Sequence, residues 1–309
     1  MHIQWYPGHM HKAQKQIRET LARIDLIIEV LDARIPYSSE NPMLATLRGD
    51  KPCIKILNKH DLADPDVTQQ WQDWFEQQKD VKTLVTTTKK PEQIRQLTAL
   101  CRKILPDRIN SNKPVKAMIM GIPNVGKSTL INILAGKIIA KTGNEPAVTK
   151  AQQRINLDSS IILVDTPGVL WPNIENRHSG YRLAATGAIR DTAIESTDVA
   201  FFAAEYLLMT YPDRLKQRYL LDPLPETELE LLEVIGAKRG CLRPGGQIEL
   251  DKVAKILLTE LRAGKLGQIS METPTMVEQE IIKVALTREK KAAKKSGHKN
   301  KNQPGNKKQ

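Results

Sequence analysis

The sequence predicts an α/β protein: a mainly parallel sheet layered with helices, joined to a C-terminal all-helical domain. Three observations carry that prediction. Short apolar runs alternate with segments of helical period up to about Ile174. Strand patterns are then missing from 175 to 285. The last residues are basic and too poor in apolar side chains to build a core.

Residues 10 to 22 read as an amphipathic helix following the rigid Trp5-Tyr6-Pro7-Gly8. Leu26 to Leu31 is nearly continuous in apolar residues, as in a strand covered on both faces. Cys53 to Leu57 and Val81 to Val85 read as further strands, and 68–78 as the helix between them. Pro91 opens a helix to about Ile104, proline being tolerated in a first turn. A strand at Val115 to Met120 leads to a helix over Lys127 to Leu134 that ends near Gly136, and Ile161 to Val164 is the last predicted strand. Farther on, Thr227 and Glu230 form a capping box for a helix that Gly236 is placed to close. Val253, Ile256, Leu257 and Leu261 repeat at helical spacing, with Lys252, Lys255 and Arg262 off that stripe. The expected units are an N-terminal segment (1–22), an α/β domain (23–174), a helical domain (175–285) and a flexible basic tail (286–309).

Composition excludes several classes. Apolar residues make up 40% of the 309 residues, normal for a folded chain. No run approaches the roughly 18 apolar residues of a membrane span, and the start has no apolar signal-peptide core, so a cytoplasmic protein is expected. Cys53, Cys101 and Cys241 lack metal-like spacing and read as reduced thiols. The formal charge is +12, and the segment from residue 287 onward carries +8 of it, with nine Lys or Arg against Glu289. Such a tail is either an arm that neutralises nucleic-acid phosphates or a solvated solubility segment.

The chemistry concentrates in three short motifs and one threonine. Gly121-Ile-Pro-Asn-Val-Gly126-Lys127-Ser128 fits G-x-x-x-x-G-K-[ST] between a predicted strand and helix, the setting of a phosphate-binding loop. Backbone N–H groups of Asn124, Val125 and Gly126, and of Lys127, Ser128 and Thr129 at the helix start, are candidates to ring the phosphates. Lys127 reaches the outer phosphates and Ser128 offers its hydroxyl to Mg2+. Asn58-Lys59-His60-Asp61 directly follows a strand; the Asp61 carboxylate can accept from both the ring N–H and the exocyclic amine of guanine, a donor pair that adenine lacks. Asn58 and Lys59 would brace that loop and cover the ring. The motif thus argues against an ATP-dependent metabolic enzyme. Asp165-Thr-Pro-Gly168 follows another strand, where Asp165 would join the Mg2+ shell and Gly168 would turn its N–H to the γ-phosphate. Thr149, between the phosphate loop and Asp165, is a candidate to close on the metal when the γ-phosphate is present. Together they predict a phosphate-loop GTPase fold with GTP or GDP and Mg2+ as ligands.

Their order is permuted: N-K-x-D comes more than 60 residues before the phosphate loop, where it would ordinarily follow D-x-x-G. In this order the segment after Gly168 leads straight into the helical domain. The chain resembles the circularly permuted GTPases, most closely the ribosome biogenesis GTPase A family (YlqF type). The residues that carry the likeness are Ile3 to Met10, Asp32-Ala-Arg34-Ile-Pro36, NKHD at 58–61, GIPNVGKST at 121–129, Pro146 to Thr149 and DTPG at 165–168. The usual Ser-Ala-like guanine loop reads Thr86-Thr87-Thr88-Lys89; Thr86 and Thr87 enter as base-side candidates, with the alignment among the three threonines open.

That resemblance implies a GTPase acting late in assembly of the large ribosomal subunit, with a helical domain contacting ribosomal RNA. The place of the water-orienting glutamine is Val169, followed by Leu170, neither able to hydrogen-bond a water. His9 matches the family's catalytic histidine, the alternative being a structural anchor for the N-terminal segment. Asn124 matches an asparagine of potassium-activated GTPases, which adds K+ to the expected ligands. Besides the tail, Lys252, Lys255, Arg262 and Lys265 are candidate RNA contacts. The expected particle is a monomer with the large ribosomal subunit and its rRNA as partners and no membrane; an RNA-binding scaffold with GTP as a structural ligand is the alternative.

Overall fold

The computed structural model describes residues 6, 8–111, 113–140 and 153–301, with the side chains of 9, 45 and 291–301 outside that description. Helix α1 (Gly8–Leu21) buries Met10, Ala13, Ile17 and Leu21, one stripe at helical spacing. Strand β1 (Leu26–Asp32) is buried at every position. Short helices α2 (Pro36–Ser39) and α3 (Pro42–Arg48) precede β2 (Cys53–Asn58), also buried throughout. Next come α4 (Pro65–Glu76), β3 (Val81–Val85), α5 (Pro91–Ile104), α6 (Pro106–Asn110), β4 (Val115–Gly121) and α7 (Lys127–Ala135). β5 (Gln153–Asn156) and β6 (Ile161–Asp165) complete the sheet.

Among the described residues six strands lie in the order β3-β2-β1-β4-β6-β5, parallel except for β5 at one edge. The chain moves outward from β1 to β3, returns to β4 on the far side of β1, and so reverses direction between β1 and β4. That switch point, at the carboxyl ends of the parallel strands, is where open α/β sheets bind ligands. Edge strand β5 went unpredicted because it is polar and exposed but for Ile155. Helices α2, α3 and α6 were likewise too short for periodicity to register, although each carries proline in its first turn.

Among the described residues, the elements that follow are helices: α8 (Arg177–Ala185), α9 (Ser196–Thr210), α10 (Pro212–Tyr219), α11 (Glu228–Lys238), α12 (Leu250–Arg262) and α13 (Pro274–Lys301). The predicted capping box at Thr227 and Glu230 is formed. Gly236, however, does not close α11, which continues to Lys238; positive φ appears instead at Gly240. A Cβ on Gly236 would sit 2.6 Å from Ile248 and 2.7 Å from Val253, so this glycine permits the close approach of α12 and the turn before it. Helix α13 also runs through the expected tail boundary at 286, in a stretch of Ala, Lys, Glu and Arg that favours helix.

Buried apolar residues form one cluster from Met10 through the sheet to Leu257 and Val277, so the helical segment shares a core with the α/β layer. Polar bonds cross the same junction. Met271 N–H donates to the Arg34 carbonyl at 2.8 Å, Ile269 N–H to that of Leu62 at 2.9 Å, and Trp71 Nε1 to that of Glu272 at 3.1 Å.

Candidate nucleotide site

Every parallel strand delivers a motif to the same edge. β4 ends at Gly121 and opens the phosphate loop; a Cβ there would stand 2.6 Å from the Val30 carbonyl oxygen of β1, so only glycine admits the neighbouring strand. Asn124 (φ +58°) and Gly126 (φ +94°) turn the loop into α7. Asn58, the last residue of β2, donates from Nδ2 to the Val125 carbonyl at 2.8 Å, and a Cβ on Gly126 would collide with that same nitrogen. The N-K-x-D and phosphate-loop motifs, far apart in sequence, are therefore bonded directly.

On the base side, Thr86 Oγ1 donates to Asn58 Oδ1 at 3.1 Å and Thr87 Oγ1 to Asp61 Oδ1 at 2.7 Å. Both threonines are buried and orient the loop's own side chains. Lys89 pairs with Asp61 Oδ2 at 2.8 Å. Burial would raise the Asp61 carboxyl, but the bonds from Lys89 and Thr87 prevail and hold it below its ordinary value, as an ionised acceptor. Lys59 stands in left-handed backbone (φ +61°), and its ammonium meets Asp32 Oδ2 at 3.0 Å. Asp32 ends the buried strand β1, which also carries Glu29, and stands in register with Asn58; that lateral pairing is what no single motif announces.

On the phosphate side, Lys127 Nζ pairs with Asp165 Oδ1, both buried. Burial pushes the lysine down and the carboxyl up, each against the pull of its partner. The second oxygen, Asp165 Oδ2, is buried with no hydrogen-bond partner among the described residues. Ser128 and Thr129 lie half-buried in the first turn of α7. Gly168 rests on the loop, where a Cβ would come within 3.1 Å of Pro123 backbone atoms, and Val169 N–H donates to the Gly121 carbonyl at 3.2 Å. Val169 and Leu170 are buried apolar side chains that offer no hydrogen bond.

Two candidates connect outward. Asn124 donates from Nδ2 to the Gly187 carbonyl at 2.8 Å, tying the phosphate loop to the turn after α8. His9 lies in the first turn of α1, which reaches β1 through the short turn 22–25 and therefore runs back along the sheet. Fourteen helical residues span about 21 Å and seven strand residues about 23 Å, so the start of α1 lies toward the strand ends that carry the motifs. Thr149 lies outside the described residues.

Arg262 is corrected as an RNA candidate. Its guanidinium donates to the carbonyls of Ala184 (2.9 Å) and Ala185 (3.0 Å) and pairs with Asp191 at 2.8 Å, so it caps the end of α8. Lys252, Lys255 and Lys265 are exposed.

A family model described as 50S ribosome-binding GTPase matches residues 116–232, beginning after the N-K-x-D motif, as the permuted order requires. Ribosome biogenesis GTPase A of Priestia megaterium is 46% identical over 287 residues, covering 90% of this chain and 99% of that one. Its namesake in Thermotoga maritima is 31% identical over 281 residues, covering 90% and 98%. A GDP-bound YlqF structure superposes with a TM-score of 0.65 at 28% identity, covering 84% of this chain and 99% of that one. A GNP-bound YlqF from T. maritima superposes with a TM-score of 0.61 at the same identity, covering 85% and 98%. With a guanine-nucleotide site assembled in permuted order and full-length relatives at this identity, the chain belongs to the ribosome biogenesis GTPase A family.

Proposed function

We propose that this protein is a Mg2+-dependent GTPase of the cytoplasm that, as a monomer, binds the large (50S) ribosomal subunit precursor through its rRNA and is released on hydrolysis late in assembly. The observation that carries the reading is the convergence on one sheet edge of Asp61, held as an ionised acceptor for guanine, and the buried Lys127–Asp165 pair. Asn58, Lys59, Thr86 and Thr87 shape the base pocket, while residues 124–129 and Gly168 present backbone N–H groups to the phosphates. A triphosphate would draw Lys127 from Asp165 to its own oxygens.

The donor set suits Mg2+, a hard cation that takes oxygen ligands: the unpartnered Asp165 Oδ2, the Ser128 hydroxyl and the Thr149 hydroxyl. When bound, the ion neutralises charge on the phosphate oxygens. Asn124 is assigned to K+. Since Val169 and Leu170 have no group to orient a water, that task falls to His9 at the start of α1. On this division residues 1–22 carry the catalytic histidine, 23–174 hold the nucleotide, and 175–285 with the basic segment 286–309 meet RNA.

The test is GTP turnover by the full chain in KCl, with and without large ribosomal subunits, using ATP and small subunits as controls. Stimulation by large subunits alone, lost in His9→Ala and reduced in NaCl, is expected. Turnover that large subunits do not change, despite tight GTP binding, would overturn the particle-triggered mechanism. Full stimulation of His9→Ala would remove the histidine from it, and equal rates in both salts would remove K+.

A further inference from the structure

The segment Asp32-Ala33-Arg34 has no part in the roles assigned above, yet it is among the most heavily bonded in the molecule. Both charged residues are buried, each 2% exposed. Asp32 Oδ1 accepts from the Arg34 backbone N–H at 3.1 Å and from its Nε at 2.9 Å; Oδ2 accepts from Arg34 Nη2 at 2.7 Å and from Lys59 Nζ at 3.0 Å. The remaining nitrogen, Arg34 Nη1, is buried without a hydrogen-bond partner among the described residues, so the fork is spent on Asp32. A bidentate guanidinium fixes the plane of a carboxylate, which a single ammonium cannot do.

We propose that Asp32 and Arg34 are positioning residues for guanine recognition: by anchoring the Lys59 ammonium they hold its methylene stem in place as a cover for the purine ring. The inference rests on the guanine-site reading above. A lysine stem left free would have to be ordered as the nucleotide binds; one already tied at both ends, by its left-handed backbone and by Asp32, meets the base preorganised. The labour is then divided. Lys59 contacts the face of any purine, whereas Asp61, held separately by Thr87 and Lys89, reads the guanine edge.

That division gives a test that loop collapse would not imitate. GDP and IDP are titrated against the full chain with Mg2+; inosine lacks the exocyclic amine, so the ratio of the two affinities reports on Asp61. Asp32→Asn is expected to weaken both nucleotides about 10-fold with their ratio unchanged. In a Lys59→Met background, which keeps a stem and removes the ammonium, Asp32→Asn is expected to add no further loss. Arg34→Lys, which keeps the cation and loses the fork, should weaken both nucleotides by a smaller factor, and supplies the same readout if Asp32→Asn does not fold. Loss of the GDP-to-IDP ratio, full additivity with Lys59→Met, or unchanged affinities would each overturn the proposal. A wild-type chain that binds ADP as well as GDP would count against the guanine-site reading itself.

Discussion

At the scale of single residues, the proposed base pocket is a set of polar side chains that fix one another. Asp61 has both oxygens engaged, one by a buried threonine and one by an exposed lysine, and each oxygen keeps a lone pair for the guanine contact proposed above. Exchanging that carboxylate for an amide converts one acceptor into a donor. Asp61→Asn should therefore weaken GTP binding by about 10- to 100-fold and improve the relative binding of XTP, whose C2 oxygen accepts from the new NH2 group. Competition titration of GTP against XTP checks this; an unchanged ratio would show that Asp61 does not read the base edge.

At the scale of elements, glycine placement separates closure of a helix from close packing beside it. Gly236 reads in sequence as the stop of α11, yet it sits inside the helix against Ile248 and Val253. A propensity argument would make Gly236→Ala stabilising, since alanine favours helix interiors. The contact argument opposes it: a Cβ 2.6 Å from the Ile248 side chain and 2.7 Å from that of Val253 must push both branched side chains aside. Overpacking of this kind costs about 1–3 kcal/mol, so Gly236→Ala should lower the unfolding midpoint, measurable by thermal or urea denaturation. A raised midpoint would show that these side chains yield freely. Helices α2, α3 and α6 are too short for periodicity to register, so their starts are marked by a first-turn proline and, in α3, by the Asn41 cap that accepts from the Met43 N–H.

At the scale of the whole molecule, the α/β layer and the helical segment are joined by a buried ionic network. Arg182 on α8 pairs with Glu280 on α13 at 2.7 Å and with Glu272 at 3.3 Å, and Glu272 in turn accepts from the Ser38 hydroxyl on α2. Glu280 also accepts from His178 at 2.9 Å and Asn176 at 2.6 Å. Burial would raise the Glu280 carboxyl, but bonds from His178, Arg182 and Asn176 prevail and bring it from 4.5 to about 2. A depressed folded-state value means stability that is complete above the ordinary 4.5 and lost as pH falls toward 2. Glu280→Gln should therefore cost about 3 kcal/mol near neutral pH, with the gap to wild type narrowing between pH 4.5 and 2. Urea denaturation across that range checks it; a gap independent of pH would mean that the carboxylate's charge is not what the network uses.

The sequence by itself determined the ligand class and most of the sheet. A phosphate loop between strand and helix, N-K-x-D after an apolar run, and D-T-P-G after another are local patterns, because each needs only a strand end and a turn of set length. The five parallel strands were legible as short runs rich in apolar residues, although Lys55, Lys82 and Lys116 interrupt three of them. Tertiary structure decided which side chains answer one another across those strand ends. That Thr87 supports Asp61, that Asn58 bonds the phosphate loop, and that Asp32 holds Lys59 depend on the lateral order of strands, which no local pattern encodes. It also decided the fate of Arg262, whose charge reads as a free surface but whose fork is taken up by the end of α8. Periodicity places a residue on a face; only packing says what waits opposite.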